Sequence, residues 1–140
     1  MGLTMIQVYA AGTGGTENAA AVVDIPQDGL IRGVEWSVEA DLDADQELLS
    51  GELSFIATNT LASNDARGMI STFRARLNLT SSGGSLAAIN KFTPIMDLEV
   101  SGGERIYLHL NTAAGVTSTV NAIIQLETAV TITRRSRRRT

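Results

Sequence analysis

Apolar and polar residues alternate along this chain with a period of two. From Val34 the apolar positions are Val34, Trp36, Val38, Ala40 and Leu42, with Glu35, Ser37, Glu39 and Asp41 between them. Successive side chains of a strand point to opposite faces, so the pattern predicts a strand with one face in a core and one in water. Met69–Thr80 repeats it, with Met69, Phe73, Ala75, Leu77 and Leu79 on one face and Thr72, Arg74, Arg76, Asn78 and Thr80 on the other. Near the C-terminus, Val120, Ala122, Ile124, Leu126, Val130 and Ile132 alternate with Asn121, Gln125, Glu127, Thr131 and Thr133. None of the three has the three- and four-residue spacing of an amphipathic helix.

Shorter strands are expected at Thr4–Ala10, Ala19–Ile25, Leu53–Asn59, Met96–Val100 and Arg105–Asn111. Turn-forming clusters separate them, among them Gly12–Gly15, Pro26–Gly29, Ser81–Gly84 and Ala113–Gly115. Met96–Val100 and Arg105–Asn111, joined by Ser101-Gly102-Gly103-Glu104, read as a β-hairpin. Asp45–Leu49 suits one helical turn, and Ser85–Asn90 is ambiguous. About eight strands and no long helix point to an all-β, antiparallel two-sheet β-sandwich, with a jelly roll favoured over an immunoglobulin-type arrangement. The organisation expected is one domain over residues 1–133 and a tail over 134–140.

Composition narrows the chemistry. A chain of 140 residues with 44 % hydrophobic and 19 % charged residues is long and apolar enough to bury a core. It has six aromatic residues and no cysteine, so aliphatic packing must stabilise it, and disulfides and cysteine-ligated zinc are excluded. Met1–Ile6 has neither the basic start nor the apolar run of a secretory signal, and no segment approaches the roughly 20 apolar residues that span a bilayer. Synthesis in the cytoplasm, without membrane association, is the expectation.

Charge is segregated. Residues 1–133 hold six basic and fifteen acidic residues, a net of −9, and the five arginines Arg134, Arg135, Arg137, Arg138 and Arg139 bring the whole chain to −4. A block of like charge does not fold on itself and often serves as an interaction arm. Three roles fit it. The arginines can neutralise nucleic-acid phosphates without reading sequence, because no aromatic residue sits nearby to stack on bases. They can dock on the acidic body of a neighbouring copy, or they can simply be solvated. A weaker basic group, Arg67, Arg74 and Arg76, suits ordinary cross-strand pairing with Glu35, Glu39 and Asp41.

Other candidates have plain readings. Asp41, Asp43, Asp45 and Glu47 start like a calcium loop and Glu52 stands where its last ligand would, but Gln46 replaces the required glycine. Alternate carboxylates at a strand end facing water explain the run, and no metal is expected. His109, the sole histidine, has no local nucleophile or acid to work with and suits a surface or interface position. Gly12-Thr13-Gly14-Gly15-Thr16 lacks the lysine of a phosphate-binding loop and reads as a connection. Trp36 belongs to the core.

A compact, cysteine-free all-β chain with Gly/Thr/Ser loops and an arginine-rich terminus resembles the small structural proteins of viruses and phages, the coat, cement and head-decoration proteins. The resemblance is one of style over the whole chain and rests on no single motif. It implies a jelly roll or similar sandwich that self-associates around a three-fold or higher axis and contacts other capsid proteins in a virion. It also implies a basic arm facing the genome or a neighbour, with no enzymatic activity and no cofactor. The alternative is a carbohydrate- or receptor-binding sandwich of a phage tail or cell surface, which would need exposed aromatics.

Overall fold

The computed structural model describes residues 2–12, 15–42, 47–57, 68–77, 85–112 and 117–128. They form eight strands: β1 (Gly2–Gly12), β2 (Gly15–Asp24), β3 (Gly29–Leu42), β4 (Glu47–Ser54), β5 (Met69–Leu77), β6 (Ser85–Val100), β7 (Arg105–Thr112) and β8 (Thr117–Thr128). The strands make two four-stranded antiparallel sheets, ordered β1-β8-β3-β6 and β2-β7-β4-β5. This is the wiring of a jelly roll, as the alternation and strand count lead one to expect.

The core lies between the sheets and takes its residues from the alternating positions. Val34, Trp36, Val38 and Ala40 of β3 face Leu49 and Leu53 of β4, Phe73 of β5 and Ile106, Leu108 and Leu110 of β7, all essentially solvent-free. Val120, Ala122, Ile124 and Leu126 of β8 complete the layer. Trp36 sits at its centre, its ring 5.6 Å from that of Phe73 and its Nε1–H donating to Ser71 Oγ at 2.9 Å. Gly51 makes room for the indole, since a Cβ there would lie 3.3 Å from both Trp36 and Phe73 ring carbons.

The expected hairpin between β6 and β7 does not form. β6 pairs with β3 in one sheet, and β7 pairs with β2 and β4 in the other. Ser101–Glu104 therefore crosses between sheets, beside residues 25–28, which cross from β2 to β3. The two crossings hold each other: Gly103 N–H donates to Ile25 O and Ile25 N–H to Glu104 O, both at 2.8 Å, and Gly102 N–H donates to Asp28 Oδ1 at 2.8 Å. A short Gly-rich connection satisfies a hairpin or a corner equally well, and the partners of the flanking strands decide between them.

Other boundaries shift too. The strand expected at Leu53–Asn59 runs instead from Glu47 to Ser54, so Glu47–Leu49 is strand rather than helical turn. Ser85–Asn90 is the first part of the 16-residue β6. The run Asp43–Asp45 and the residues beyond Thr128 lie outside the described residues.

Candidate assembly surface

The one histidine is not at the surface. His109 is completely buried, on the face of the β2-β7-β4-β5 sheet that points away from the core, where Ser50, Glu52 and Ser54 of β4 are buried beside it. Glu52 stands directly opposite His109 in register. Ala19 N–H donates to His109 Nδ1 at 2.8 Å, and the opposite ring nitrogen, Nε2, lies 2.8 Å from Ile56 O and 3.2 Å from Ser54 Oγ. A backbone N–H can only donate, so Nδ1 carries the lone pair and Nε2 carries the proton, which goes to the Ile56 carbonyl. Ser54 Oγ in turn accepts from Ile56 N at 3.1 Å and sits 2.8 Å from Ile56 O.

This grouping holds a serine, a histidine and a glutamate, yet its hydrogen bonds run the wrong way for nucleophilic catalysis. A base would need a bare nitrogen facing Ser54 and an acceptor orienting the other nitrogen. Here the nitrogen near Ser54 is the protonated one, and a backbone donor orients the ring. His109 instead ties the β2 irregularity to the segment after β4. Ala19 adopts φ 52°, within the register shift between Glu17 and Ala21, which aims its N–H at the imidazole. The Tyr107 ring stacks on the imidazole with a centroid separation of 6.3 Å.

The sequence-derived candidates are scattered. Arg134, Arg135, Arg137, Arg138, Arg139 and Arg67 lie outside the described residues, as do Asp43 and Asp45. Arg74 is exposed on β5, and its register partner in β4 is Ser50. Glu35 and Glu39 lie on the outer face of the other sheet, so the pairing expected between them and Arg74 cannot form within one chain: the core separates the two faces; the side chains of Arg76 and Asp41 lie outside the description. Glu52, placed as a calcium ligand by spacing, belongs to the middle of β4. Among the described residues no group of three metal-ligating side chains is gathered, and no helix is long and apolar enough to cross a membrane.

Among the described residues, the large apolar side chains left exposed belong to the β1-β8-β3-β6 sheet, apart from Val22 on β2. Cross-strand rungs run Leu3–Glu127–Leu30, Met5–Gln125–Gly33–Pro94, Gln7–Ile123–Glu35–Phe92 and Tyr9–Asn121–Ser37–Asn90. Leu3, Met5 and Tyr9 on β1 are exposed by 55–56 %, Phe92 by 50 % and Met96 by 91 %. The Phe92 ring lies over Gly33, where any Cβ would collide with it. Arg32 projects from the bulge at Ile31/Gly33 to pair with Asp97, whose φ is 44°, and reaches Glu127 at 3.4 Å. On the other sheet, Asp24 holds Arg105 at 3.2 Å and raises its pKa, through the hydrogen bond first and charge attraction second.

The four edge strands differ in how they are protected against pairing with another chain. β2 is broken by its register shift and carries Glu17 and Asp24. β5 carries Arg74 and Arg76. β6 carries Lys91, whose Nζ donates to Thr72 O at 3.2 Å, and also Pro94 and a bulge. β1 has none of these devices: its eleven residues include no charge and no proline, and it pairs with β8 without a break from Gly2 to Gly12. Charges, prolines and bulges are how soluble sheets blunt their edges. The sequence predicts a strand at Thr4–Ala10, but neither which of its apolar residues are exposed nor its place at a sheet edge.

No family model and no curated protein matches this chain. Similarity to solved structures is confined to the fold. The dimeric latent PorU of Porphyromonas gingivalis superposes with a TM-score of 0.51 at 13 % identity, over 89 % of this chain and 13 % of that one. The T13 particle of infectious bursal disease virus gives a TM-score of 0.45 at 12 % identity, over 87 % of this chain and 31 % of that one. The C-terminal CBM6 of LamC from Zobellia galactanivorans gives 0.42 at 8 % identity, over 86 % and 99 %. The chain thus spans under a third of the virus protein and a smaller part of PorU.

Proposed function

We propose that this chain is a structural protein of a viral or phage particle, a coat or head-decoration protein that self-associates through its jelly roll. The observation that carries this reading is the edge of β1, unpaired among the described residues: an uncharged eleven-residue strand with Leu3, Met5 and Tyr9 exposed, on a body otherwise strongly acidic. Strand edges and apolar surface are the raw material of association, and repetition in a closed assembly turns weak contacts into a stable shell. Segregated charge supports the same reading. The arm Arg134–Arg139 is an electrostatic partner for packaged nucleic acid or for the −9 body of a neighbouring copy.

Light scattering on the full chain and on a chain ending at Thr133, at low and high salt, tests this. Closed oligomers that lose nucleic acid or come apart without the arm support a genome-enclosing coat. Oligomers indifferent to the arm support a decoration role. A monomer at all concentrations in both refutes intrinsic self-association.

One observation favours a second reading. Tyr9 and Phe92 are exposed aromatics on the same outer face, on its two edge strands, and sugar-binding sandwiches use such rings as stacking platforms. Tyr9→Ala and Phe92→Ala would abolish oligosaccharide binding if this reading holds, and an oligosaccharide array with no bound glycan rejects it.

A further inference from the structure

We infer that β1 pairs with β1 of a second copy, antiparallel and two-fold symmetric about Gln7, joining two four-stranded sheets into one of eight strands. The inference rests on the self-association proposed above and names the surface that performs it.

The occupant follows from charge and from symmetry. The body of the chain carries −9, so most of its surface repels another copy. β1 is uncharged over its whole length, so two copies can bring this edge together without burying like charges. Antiparallel pairing of Gly2–Gly12 with itself uses all eleven residues only when Gln7 lies on the axis. In that register Met5 stands opposite Tyr9 of the second copy and Leu3 opposite Ala11, while the two Gln7 side chains face each other. Thioether against aromatic ring is a favourable contact, and paired amides can exchange donor and acceptor. The strand is therefore self-complementary in the one register that leaves no residue unpaired. Its neighbour β8 already satisfies one side, and in an antiparallel ladder alternate residues direct N–H and C=O to the other side.

The area is modest. Three large side chains a little over half exposed offer on the order of 300 Å² per copy, well below the roughly 1,200 Å² total of a stable pair. Backbone pairing adds to this without closing the gap. A single contact is thus weak, which suits one interface among several in a closed shell, where multivalency sets the stability.

The absence of cysteine makes the register testable in the full-length protein. Directly opposed residues of an antiparallel pair have Cα atoms about 4.5–5.5 Å apart, within the disulfide window of about 4.4–6.8 Å. Under mild oxidation Gln7→Cys is expected to give a covalent dimer as its main product. Met5→Cys mixed with Tyr9→Cys should give the mixed dimer. Either of these alone should give little, because like residues are then four positions, about 13 Å, out of register.

Circular dichroism on each variant confirms that the sheet is intact, and sedimentation of the unmodified protein runs alongside. If the protein sediments as an oligomer while Gln7→Cys stays monomeric, β1 is not the contact and the proposal falls, leaving self-association standing. If the protein is a monomer at every concentration and no variant crosslinks, both fall together. Equal crosslinking by Met5→Cys, Tyr9→Cys and Gln7→Cys alone would also overturn it, as collision rather than a register.

Discussion

His109→Phe is the substitution whose effect the structure specifies most fully. Phenylalanine keeps a planar ring to stack on Tyr107 and fills the buried site, but it removes both nitrogens. Ala19 N–H, 2.8 Å from the imidazole, then loses its partner, while Ile56 C=O loses one of two donors and keeps Ser54 Oγ at 2.8 Å. A buried donor or acceptor stripped of its partner costs about 1–3 kcal/mol. Both bonds are only partly buried, so the lower half of that range applies to Ala19, and the one bond lost at Ile56 adds about 0.5–1.5 kcal/mol, giving a total of about 1.5–3.5 kcal/mol.

With a urea slope of about 2 kcal/mol per molar, the middle of the usual range, the unfolding midpoint should drop by about 1–2 M. Emission of Trp36, the sole tryptophan and fully buried, reports the transition. His109→Asn can retain the acceptor for Ala19, and His109→Gln can retain the donor for Ile56. His109→Asn should recover the larger part of the loss and His109→Gln the smaller, and amide exchange should then locate the residual opening after Ser54 in the first and at Ala19 in the second. A His109→Phe midpoint within experimental error of the parent would refute the assigned tautomer and the role of the ring as a tie between β2 and the segment after β4.

Three further outcomes follow from the packing. Gly29→Ala places a Cβ against the Glu127 carbonyl oxygen, which is backbone and cannot step aside, so it should cost about 1–3 kcal/mol in urea unfolding. Trp36→Phe removes ring volume from the core and strands Ser71 Oγ without its donor, so calorimetry should show a loss of about 2–4 kcal/mol. Arg32→Ala should change stability by less than about 1 kcal/mol, because the guanidinium and its Asp97 partner are 45 % and 66 % exposed and water screens them.

Much of the architecture was legible in the order of residues. The alternation around Trp36 reported a half-buried strand, and Val34, Trp36, Val38 and Ala40 are all buried while Glu35, Ser37 and Glu39 are exposed. Periodicity works for this purpose because it records which face of a strand meets apolar surroundings, a property each strand carries within itself. The same logic applied to β4 would have grouped Ser50, Glu52 and Ser54 on one face, but the strand was expected to begin only at Leu53.

What periodicity does not record is the identity of a strand's neighbours. Met96–Val100 and Arg105–Asn111 look like a hairpin, since a short Gly-rich link favours local pairing. The tertiary structure sends them to opposite sheets, because pairing β6 with β3 and β7 with β2 and β4 closes both sheets over one core. His109 reads as a surface residue on the polar face of its strand. It is buried because the segment after β4 and the irregularity of β2 cover that face and supply its hydrogen bonds. The exposed apolar residues of β1 have the same spacing they would have on a central strand. Only the sheet order makes that strand an edge, paired with β8 on one side alone among the described residues and with the side chains of Leu3, Met5 and Tyr9 a little over half exposed. Local chemistry set the strands and their buried faces; long-range pairing decided which faces and edges remained open for function.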